Sequence, residues 1–456
     1  MKKVLLIYPP TTIEVKVERK RVGIPNGIFA IAAVLVQEGY KVKILDATLE
    51  DFGHEEEIGQ GFIRFGMSFA KIKEVISGYA PDVVGVSSLY SSQACNVHEV
   101  CRLAKEASKE ILTVVGGGYP TSETQKCLDD PNIDFVVRGE GERAIINLLR
   151  DDLGHHQKIV DAPFIEDVNS LPLPARHLVD FAKYSSVPCA HGVIKHKPFA
   201  SLFSSRGCPF NCSFCFSFRM HGTKFRARSP ENILDEIELL IKDYGVKEIH
   251  FEDDNLTFDR QRALEVFQGM IDRKFNISWM APSGLSVNKL DKELLLKMKE
   301  SGCYAIIIAI ESGNQRVLSE IMHKPVDLKR AEEIVRFLKE IELDVASYWM
   351  IGLPGETKRE IFDTIDFAAK LKSINPNFYS SFSIFTPFKG TPLYDVCLNN
   401  KYLTSNNFSK MKYSTGVIDT EDFSHQWVEK VRYEGWLKAN HAKSEEEVDS
   451  SLIPKN

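Results

Sequence analysis

SSRGCPFNCSFCF, residues 204–216, carries Cys208, Cys212 and Cys215, separated first by three residues and then by two. With nine cysteines in 456 residues, this spacing arises by chance roughly 0.004 times per chain, so coincidence is a poor account of it. Three thiolates on one tight loop suit three irons of a cubane 4Fe–4S cluster and leave the fourth iron without a protein ligand nearby. An iron left open in this way suits chelation of a substrate better than electron carriage. Gly207 permits close approach of the backbone, and Pro209 and Asn211 suit a turn. Zinc is the rival reading, because His221 completes a Cys3His set. The other six cysteines (Cys95, Cys101, Cys127, Cys189, Cys303 and Cys397) lack metal spacing and read as packing residues.

Downstream of the triplet the sequence alternates. Ser229-Pro230 is a helix start, Ile233, Ile237, Leu240 and Ile241 form a helix face, and Gly245 stops it. Strand-like segments follow at Glu248–Glu252, Ser278–Met280, Tyr304–Ile310, Val345–Met350 and Phe378–Ile384. Between them lie helix faces carrying Leu294 and Met298, then Ile334, Phe337, Leu338 and Ile341. Repeated βα units predict a closed or partial barrel of parallel strands, with its chemistry at the strands' C-terminal ends. Aromatics at Tyr348, Trp349, Phe378, Tyr379, Phe382, Phe385 and Phe388 read as core rather than as a pocket wall.

Upstream, apolar runs at Val4–Tyr8, Val42–Leu45, Val83–Ser87, Leu112–Val115 and Phe135–Val137 alternate with helical stretches. One of these carries Ile28, Ile31 and Leu35 and ends at Gly39; another runs from Val97 to Ser108. The pattern predicts a parallel, doubly wound α/β sheet. Turn residues end four strands: Pro9-Pro10, Ser87-Ser88, Gly116-Gly117-Gly118 and Gly139-Glu140-Gly141-Glu142. Such strand ends form ligand crevices in open α/β sheets. Regular alternation lapses over residues 154–201, where Pro172 and Pro174 break any helix, although Leu171, Leu173, Leu178 and Phe181 predict packing. The last fifty or so residues read as helical, with a charged, frayed tail at 443–456.

Lys and Arg number 57 against 63 Asp and Glu, a net charge of −6, which leaves no electrostatic footprint for nucleic acid. The longest apolar run, Tyr304–Ile310, is far short of a membrane span. The N-terminal MKKVLLIYPP is too short for a signal-peptide core. A soluble, cytoplasmic chain is expected.

The triplet, with Phe214 before its last cysteine, resembles the CxxxCxxC motif of radical S-adenosylmethionine enzymes. Supporting positions match over about residues 200–400: Glu252, Asp253 and Asp254 in FEDDN, then Glu311 and Ser312 in ESG, then Ile351, Gly352 and Pro354 in MIGLPGE. The resemblance implies that these residues and Phe214 bind S-adenosylmethionine, through its amino group, its ribose or methionine part, and its adenine respectively. A flavodoxin-like (Rossmann-type) domain ahead of a partial TIM-type (β/α) barrel resembles the cobalamin-binding subclass, of the class B methyltransferase type. That likeness implies cobalamin at Pro10, Asp46, Ser87, Ser88, Tyr90, Ser91, Gly116, Gly117, Gly118, Tyr119, Glu140 and Gly141. Related chains often read Gly-Gly-x-His-Pro-Thr where this one has Gly117-Gly118-Tyr119-Pro120-Thr121. Tyr119 is a poor cobalt ligand and reads as shaping the loop. DxHxxG is absent, so the lower ligand of cobalt is left open.

The implied organisation is a cobalamin domain over 1–150, a linker over 151–199, a radical barrel over 200–400 and a helical segment over 401–456. The implied chemistry is cleavage of S-adenosylmethionine to a 5′-deoxyadenosyl radical, with methylcobalamin methylating an unactivated carbon or phosphorus centre of a small molecule. A one-electron reductant such as flavodoxin or ferredoxin is implied as partner, with neither nucleic acid nor membrane. Two alternatives stand beside it: a radical cyclase or rearrangement enzyme that does not methylate, and a non-catalytic iron–sulfur or zinc protein.

Overall fold

The computed structural model describes residues 2–15, 19–59, 61–150, 157–190, 194–405 and 413–448. The chain divides into two compact units, one of Met1–Ala190 with Arg219–Gly222, the other of His191–Phe218 with Thr223–Asn456.

The first unit is built on a six-stranded parallel sheet. Its strands lie in the order Lys41–Asp46, Lys3–Tyr8, Val83–Ser87, Leu112–Gly116, Phe135–Arg138 and Ile159–Asp161. The order reverses beside the first strand, which is the flavodoxin-like switch point where ligands of such sheets lie. Register aligns the C-terminal ends: Tyr8 opposes Asp46, and Ser87 opposes Gly116. Both faces of the sheet are covered, so the strands are continuous apolar runs rather than alternating ones. Leu5, Ile7, Val84, Val86 and Val115 pack with Ile72, Ile76, Val97 and Val100 from helices Phe69–Tyr79 and Ala94–Ala107.

Two features differ from the expectation. Thr11–Glu14, Phe62–Phe65 and Glu55–Gly59 form a small antiparallel sheet. The Glu55-Glu56-Glu57 run masked its last member, because charge is tolerated on a strand that faces water. Ile159–Asp161, within the irregular stretch, adds a sixth parallel strand by pairing with Phe135–Arg138. The rest of that stretch packs down: Phe181 meets Phe29 at a tilt and Tyr184 meets it edge-on, and the Tyr184 hydroxyl donates to Asp46 Oδ2 at 2.8 Å.

The second unit has six parallel strands in sequence order, Phe199–Leu202, Glu248–Phe251, Ser278–Leu285, Cys303–Glu311, Asp344–Ile351 and Tyr379–Ile384. No pairing joins the first to the last, so the barrel is partial. The intervening helices start at side-chain caps that accept backbone N–H groups: Ser229, Asp259, Asp291, Asp327 and Thr357. Each such cap contributes about 1 kcal/mol. One strand face packs on the helices, as where Trp279 stacks on Phe267 and meets Phe251 edge-on. Trp349 does the same with Phe382 and Phe367. Trp349, Phe378, Tyr379, Phe382 and Phe385 are therefore core, whereas Phe388 is exposed. On the other face Tyr348 pairs in register with Ala309 and Ser381, and Met350 with Ser383; all five are half-buried.

Helix His425–Ala439 packs on the sixth strand and on helix Lys358–Ile374. The expected charged tail lies outside the described residues from 449 onward. Among the described residues no helix is long and apolar enough to cross a membrane.

Candidate active site

The cysteine loop leaves the first barrel strand and is closed at its base by a short antiparallel pair, Ser205–Arg206 with Arg226–Ala227. Gly207 turns with φ +82°. Within the loop the Cys215 N–H donates to Cys212 O at 3.1 Å. Donors also point at sulfur: the Ser217 N–H reaches Cys215 Sγ at 3.4 Å, and Cys208 receives the Phe210 backbone and the Asn255 side chain. Ser213, between the last two cysteines, ties the tip to another element through its N–H to Met322 O (2.9 Å) and its hydroxyl to Ile321 O (2.5 Å).

Burial pushes all three thiols up, Cys215 to about 12, with Lys324 pulling in the opposite direction. A metal binding there displaces those protons. Among the described residues no three His, Cys, Asp or Glu side chains gather around a point that would hold a single metal ion. The thiols of a cubane each hold a different iron and stand further apart. His221 sits with Glu140, at 3.8 Å. Three sulfurs with N–H donors and a nearby half-buried cation, Lys324, fit a 4Fe–4S cluster.

The other carboxylates divide by role. Asp253 is buried, accepting from Ser204 N (2.8 Å), Ser204 Oγ (2.6 Å) and Ser205 Oγ. Burial raises its pKa, and Arg262 opposes that rise. It locks the strand end that leads into the cysteine loop. Removing it strands a buried N–H, two hydroxyls and the Arg262 charge, so Asp253→Ala should destabilise the second unit by about 3–5 kcal/mol. Calorimetry of the metal-free protein would read this as a lower unfolding temperature.

Asp254 lies near Cys208 and Cys215, and Glu252 near Tyr348. Glu311 follows a register shift in its strand and has φ +72°, a strained backbone for this residue. Its carboxylate reaches Lys324 at 3.6 Å. Burial raises the Glu311 pKa against the pull of Lys324. Ser312 faces the fold, with its hydroxyl 3.0 Å from Thr364 Oγ1. Phe214 presents its ring to Lys324, 5.8 Å from the ammonium. Lys324 has no motif of its own, and Asn255, the last residue of FEDDN, was expected there only as part of that motif or as a helix cap. A cavity of about 740 Å³ is lined by Gln315, Ser319, His323, Lys324, Asp327 and Lys329 among others; of the site residues it includes Lys324.

The MIGLPGE loop is folded around Glu356, whose Oε2 accepts from Gly352 N (2.7 Å) and Leu353 N (3.0 Å). Gly352 has φ +79°, and a Cβ there would stand 2.9 Å from Val428. Ile351 and Pro354 are buried beside it. Glu356 Oε1 is buried without a hydrogen-bond partner, and burial raises this carboxyl to about 8. A folded pKa above the ordinary carboxyl value means that the folded state holds the proton more tightly. The associated stability is therefore complete below about pH 4.5 and lost as pH rises through about 8. Thermal unfolding of Glu356→Gln should lack this decline between pH 5 and 9; parallel curves for the two proteins would contradict it.

In the first unit the sheet edge is built by backbone approach. The Tyr119 N–H donates to Ser88 O, and the Ser88 N–H to Gly116 O. A Cβ on Gly117 (φ +104°) or Gly118 would lie 2.4 Å from Ser88 O or Leu89 O. Leu89 and Tyr90 are left 52% and 46% exposed, with Ser87 and Ser91 half-buried beside them. Leu89 was not among the expected residues. Tyr119 is buried, its hydroxyl 2.7 Å from His98 Nε2, and His98 Nδ1 is bonded to Asp130. That chain turns the phenol into the fold. Asp46 caps a short helix and takes the Tyr184 hydroxyl. Glu140 accepts from Ile165 N at 2.8 Å. Pro10 O accepts from Asn96 at 2.8 Å, and Gly141 lets Ile31 approach. A cradle of glycine backbone under two exposed apolar side chains fits the flat face of a corrin.

Residues 202–368 match the family model of the Radical SAM superfamily, and residues 15–149 that of the B12 binding domain. The chain is 31% identical over 464 residues to cytidylyl-2-hydroxyethylphosphonate methyltransferase of Streptomyces wedmorensis, covering 91% of this chain and 86% of the relative. It is 31% identical over 452 residues to an uncharacterized methyltransferase of Pyrococcus horikoshii, covering 95% and 92%. An anaerobic magnesium-protoporphyrin IX monomethyl ester cyclase of Cereibacter sphaeroides is 28% identical, over 77% of this chain and 58% of the relative. Among solved structures, the cobalamin-dependent S-adenosylmethionine radical enzyme OxsB superposes with a TM-score of 0.72 at 15% identity, covering 97% of this chain and 67% of that one. The methyltransferase TsrM of Kitasatospora setae gives 0.66 at 18% identity, covering 89% and 76%.

Proposed function

Because the chain belongs to the cobalamin-binding radical S-adenosylmethionine enzymes, we propose that it methylates an unactivated carbon or phosphorus centre of a small molecule. It is an enzyme whose cofactors are a 4Fe–4S cluster, S-adenosylmethionine and cobalamin. When bound, these groups supply a 5′-deoxyadenosyl radical and a transferable methyl group. The protein's own residues bind, orient and exclude water. Cys208, Cys212 and Cys215 would hold the cluster. Phe214, Glu252, Asp254, Glu311, Ile351, Gly352 and Pro354 would surround S-adenosylmethionine, with Asp253 and Ser312 fixing the strand ends beneath them. The loops Ser87–Ser91 and Gly116–Tyr119 would carry the corrin, with Pro10, Asp46, Glu140 and Gly141 shaping that edge.

The observation that carries methyl transfer is the 31% identity to a methyltransferase across both domains. In this reading residues 1–150 serve cobalamin, 151–199 connect, 200–400 form the radical barrel and 401–456 close the chain. A flavodoxin or ferredoxin in the cytoplasm would deliver the electron. A second reading, oxidative cyclisation, is favoured by the likeness to the cyclase. Methyl-deuterated S-adenosylmethionine separates the two. Label in the product, together with 5′-deoxyadenosine, supports methylation; 5′-deoxyadenosine with an unlabelled, oxidised product supports the cyclase.

A further inference from the structure

Lys324 is the cation beside the cysteine loop, and its part in the chemistry is not given by any motif. Its position is fixed by the segment that clamps the cysteine loop. Ile321 and Met322 accept from Ser213, and the Lys324 N–H donates to Leu318 O at 2.8 Å. Between them His323 adopts φ +50°, a left-handed conformation that costs a residue with a Cβ. The strained turn aims the lysine at the loop. Its ammonium ends 3.6 Å from Glu311 Oε1 and 5.8 Å from the ring centre of Phe214, which lies between Cys212 and Cys215.

A charge-assisted hydrogen bond closes to about 2.7–2.9 Å. The longer Glu311 contact means that the ammonium is not committed to that carboxylate. Among the described residues it makes no closer hydrogen bond. Its field falls on the cysteine loop, whose Phe214 ring stands 5.8 Å from the ammonium and whose Ser213 is tied to the turn that carries the lysine. A cluster held by three thiolates gains one negative charge when reduced, and a cation held beside it and largely out of water favours that reduced form.

We propose that Lys324 is a positioning cation that raises the reduction potential of the cluster, with Glu311 as the counterweight that limits the rise. This rests on the cluster assignment above. The test is an EPR-monitored redox titration of anaerobically reconstituted protein without S-adenosylmethionine, so that cofactor binding does not enter. In Lys324→Gln the ratio of reduced to oxidised cluster at a fixed potential should fall about tenfold, a shift of about 59 mV for one electron. Lys324→Arg should restore the ratio most of the way, because it keeps the charge. Glu311→Gln should move the ratio upward. An unchanged ratio in a fully loaded Lys324→Gln protein overturns the proposal. If that variant takes up no cluster, Glu311→Gln decides: a ratio that stays or falls overturns it, and a rise supports it. Failure of the cluster assignment would look different, because the wild-type protein itself would then take up no iron.

Discussion

Cys212→Ala is expected to lose cleavage of S-adenosylmethionine to background while retaining corrinoid binding. The loss follows from ligand count. Among the described residues of the second unit no fourth cysteine stands ready, because Cys303 and Cys397 are buried in its core. With two thiolates the loop lacks the three sulfurs that a site-differentiated cubane needs. The loop itself should survive. Its anchors are backbone and serine bonds, namely the Ser205–Arg206 pair and the Ser213 tie to Ile321 and Met322, and alanine disturbs none of them. Corrinoid binding should survive because its proposed residues belong to the first unit. Cleavage near the wild-type rate in Cys212→Ala would show that the cluster does not use this triplet.

Gly117→Ala should give the reciprocal result, weaker corrinoid binding with cleavage retained. At φ +104° and ψ −167°, a region kept almost entirely to glycine, an alanine costs about 1–3 kcal/mol, and its Cβ would sit 2.4 Å from Ser88 O. The neighbour is backbone, which cannot rotate away, so the loops Ser87–Ser91 and Gly116–Tyr119 must part. Their separation would displace Leu89 and Tyr90 from the positions at which they would meet the corrin. At about 1.4 kcal/mol per tenfold, affinity should fall at least about tenfold. Equilibrium titration with aquacobalamin, followed by its visible spectrum, measures it. Unchanged affinity would move the corrin site away from this edge.

Legibility in the sequence followed physical cause. Val4–Tyr8 and Tyr304–Ile310 were readable because strands covered on both faces need continuous apolar runs. Ser229-Pro230 and Gly245 marked a helix because caps are local chemistry. Glu55–Gly59 was not legible, since a surface strand needs no apolar pattern, and Ile159–Asp161 was too short to stand out. The cysteine triplet stood out because three thiolates that hold one cluster from a single loop must be closely spaced along the chain. Lys324 did not, because it comes beside Phe214 and Glu311 through a turn more than a hundred residues downstream of the triplet. Asp253 shows the same limit from the other side: its place at a strand end was legible, but its commitment to Ser204 and Ser205 required coordinates. The inward turn of Tyr119 depends on its bond to His98, 21 residues away, which no local pattern displays.

The cofactor assignment is tested most directly by the iron, sulfide and corrinoid content of the protein reconstituted anaerobically, read together with its visible spectrum. The expected result is about four irons and four sulfides per chain, with a broad sulfur-to-iron absorption and bound cobalamin. Addition of reductant and S-adenosylmethionine should then yield 5′-deoxyadenosine. Protein that binds zinc in place of iron, or takes up neither cluster nor corrinoid, would contradict the assignment.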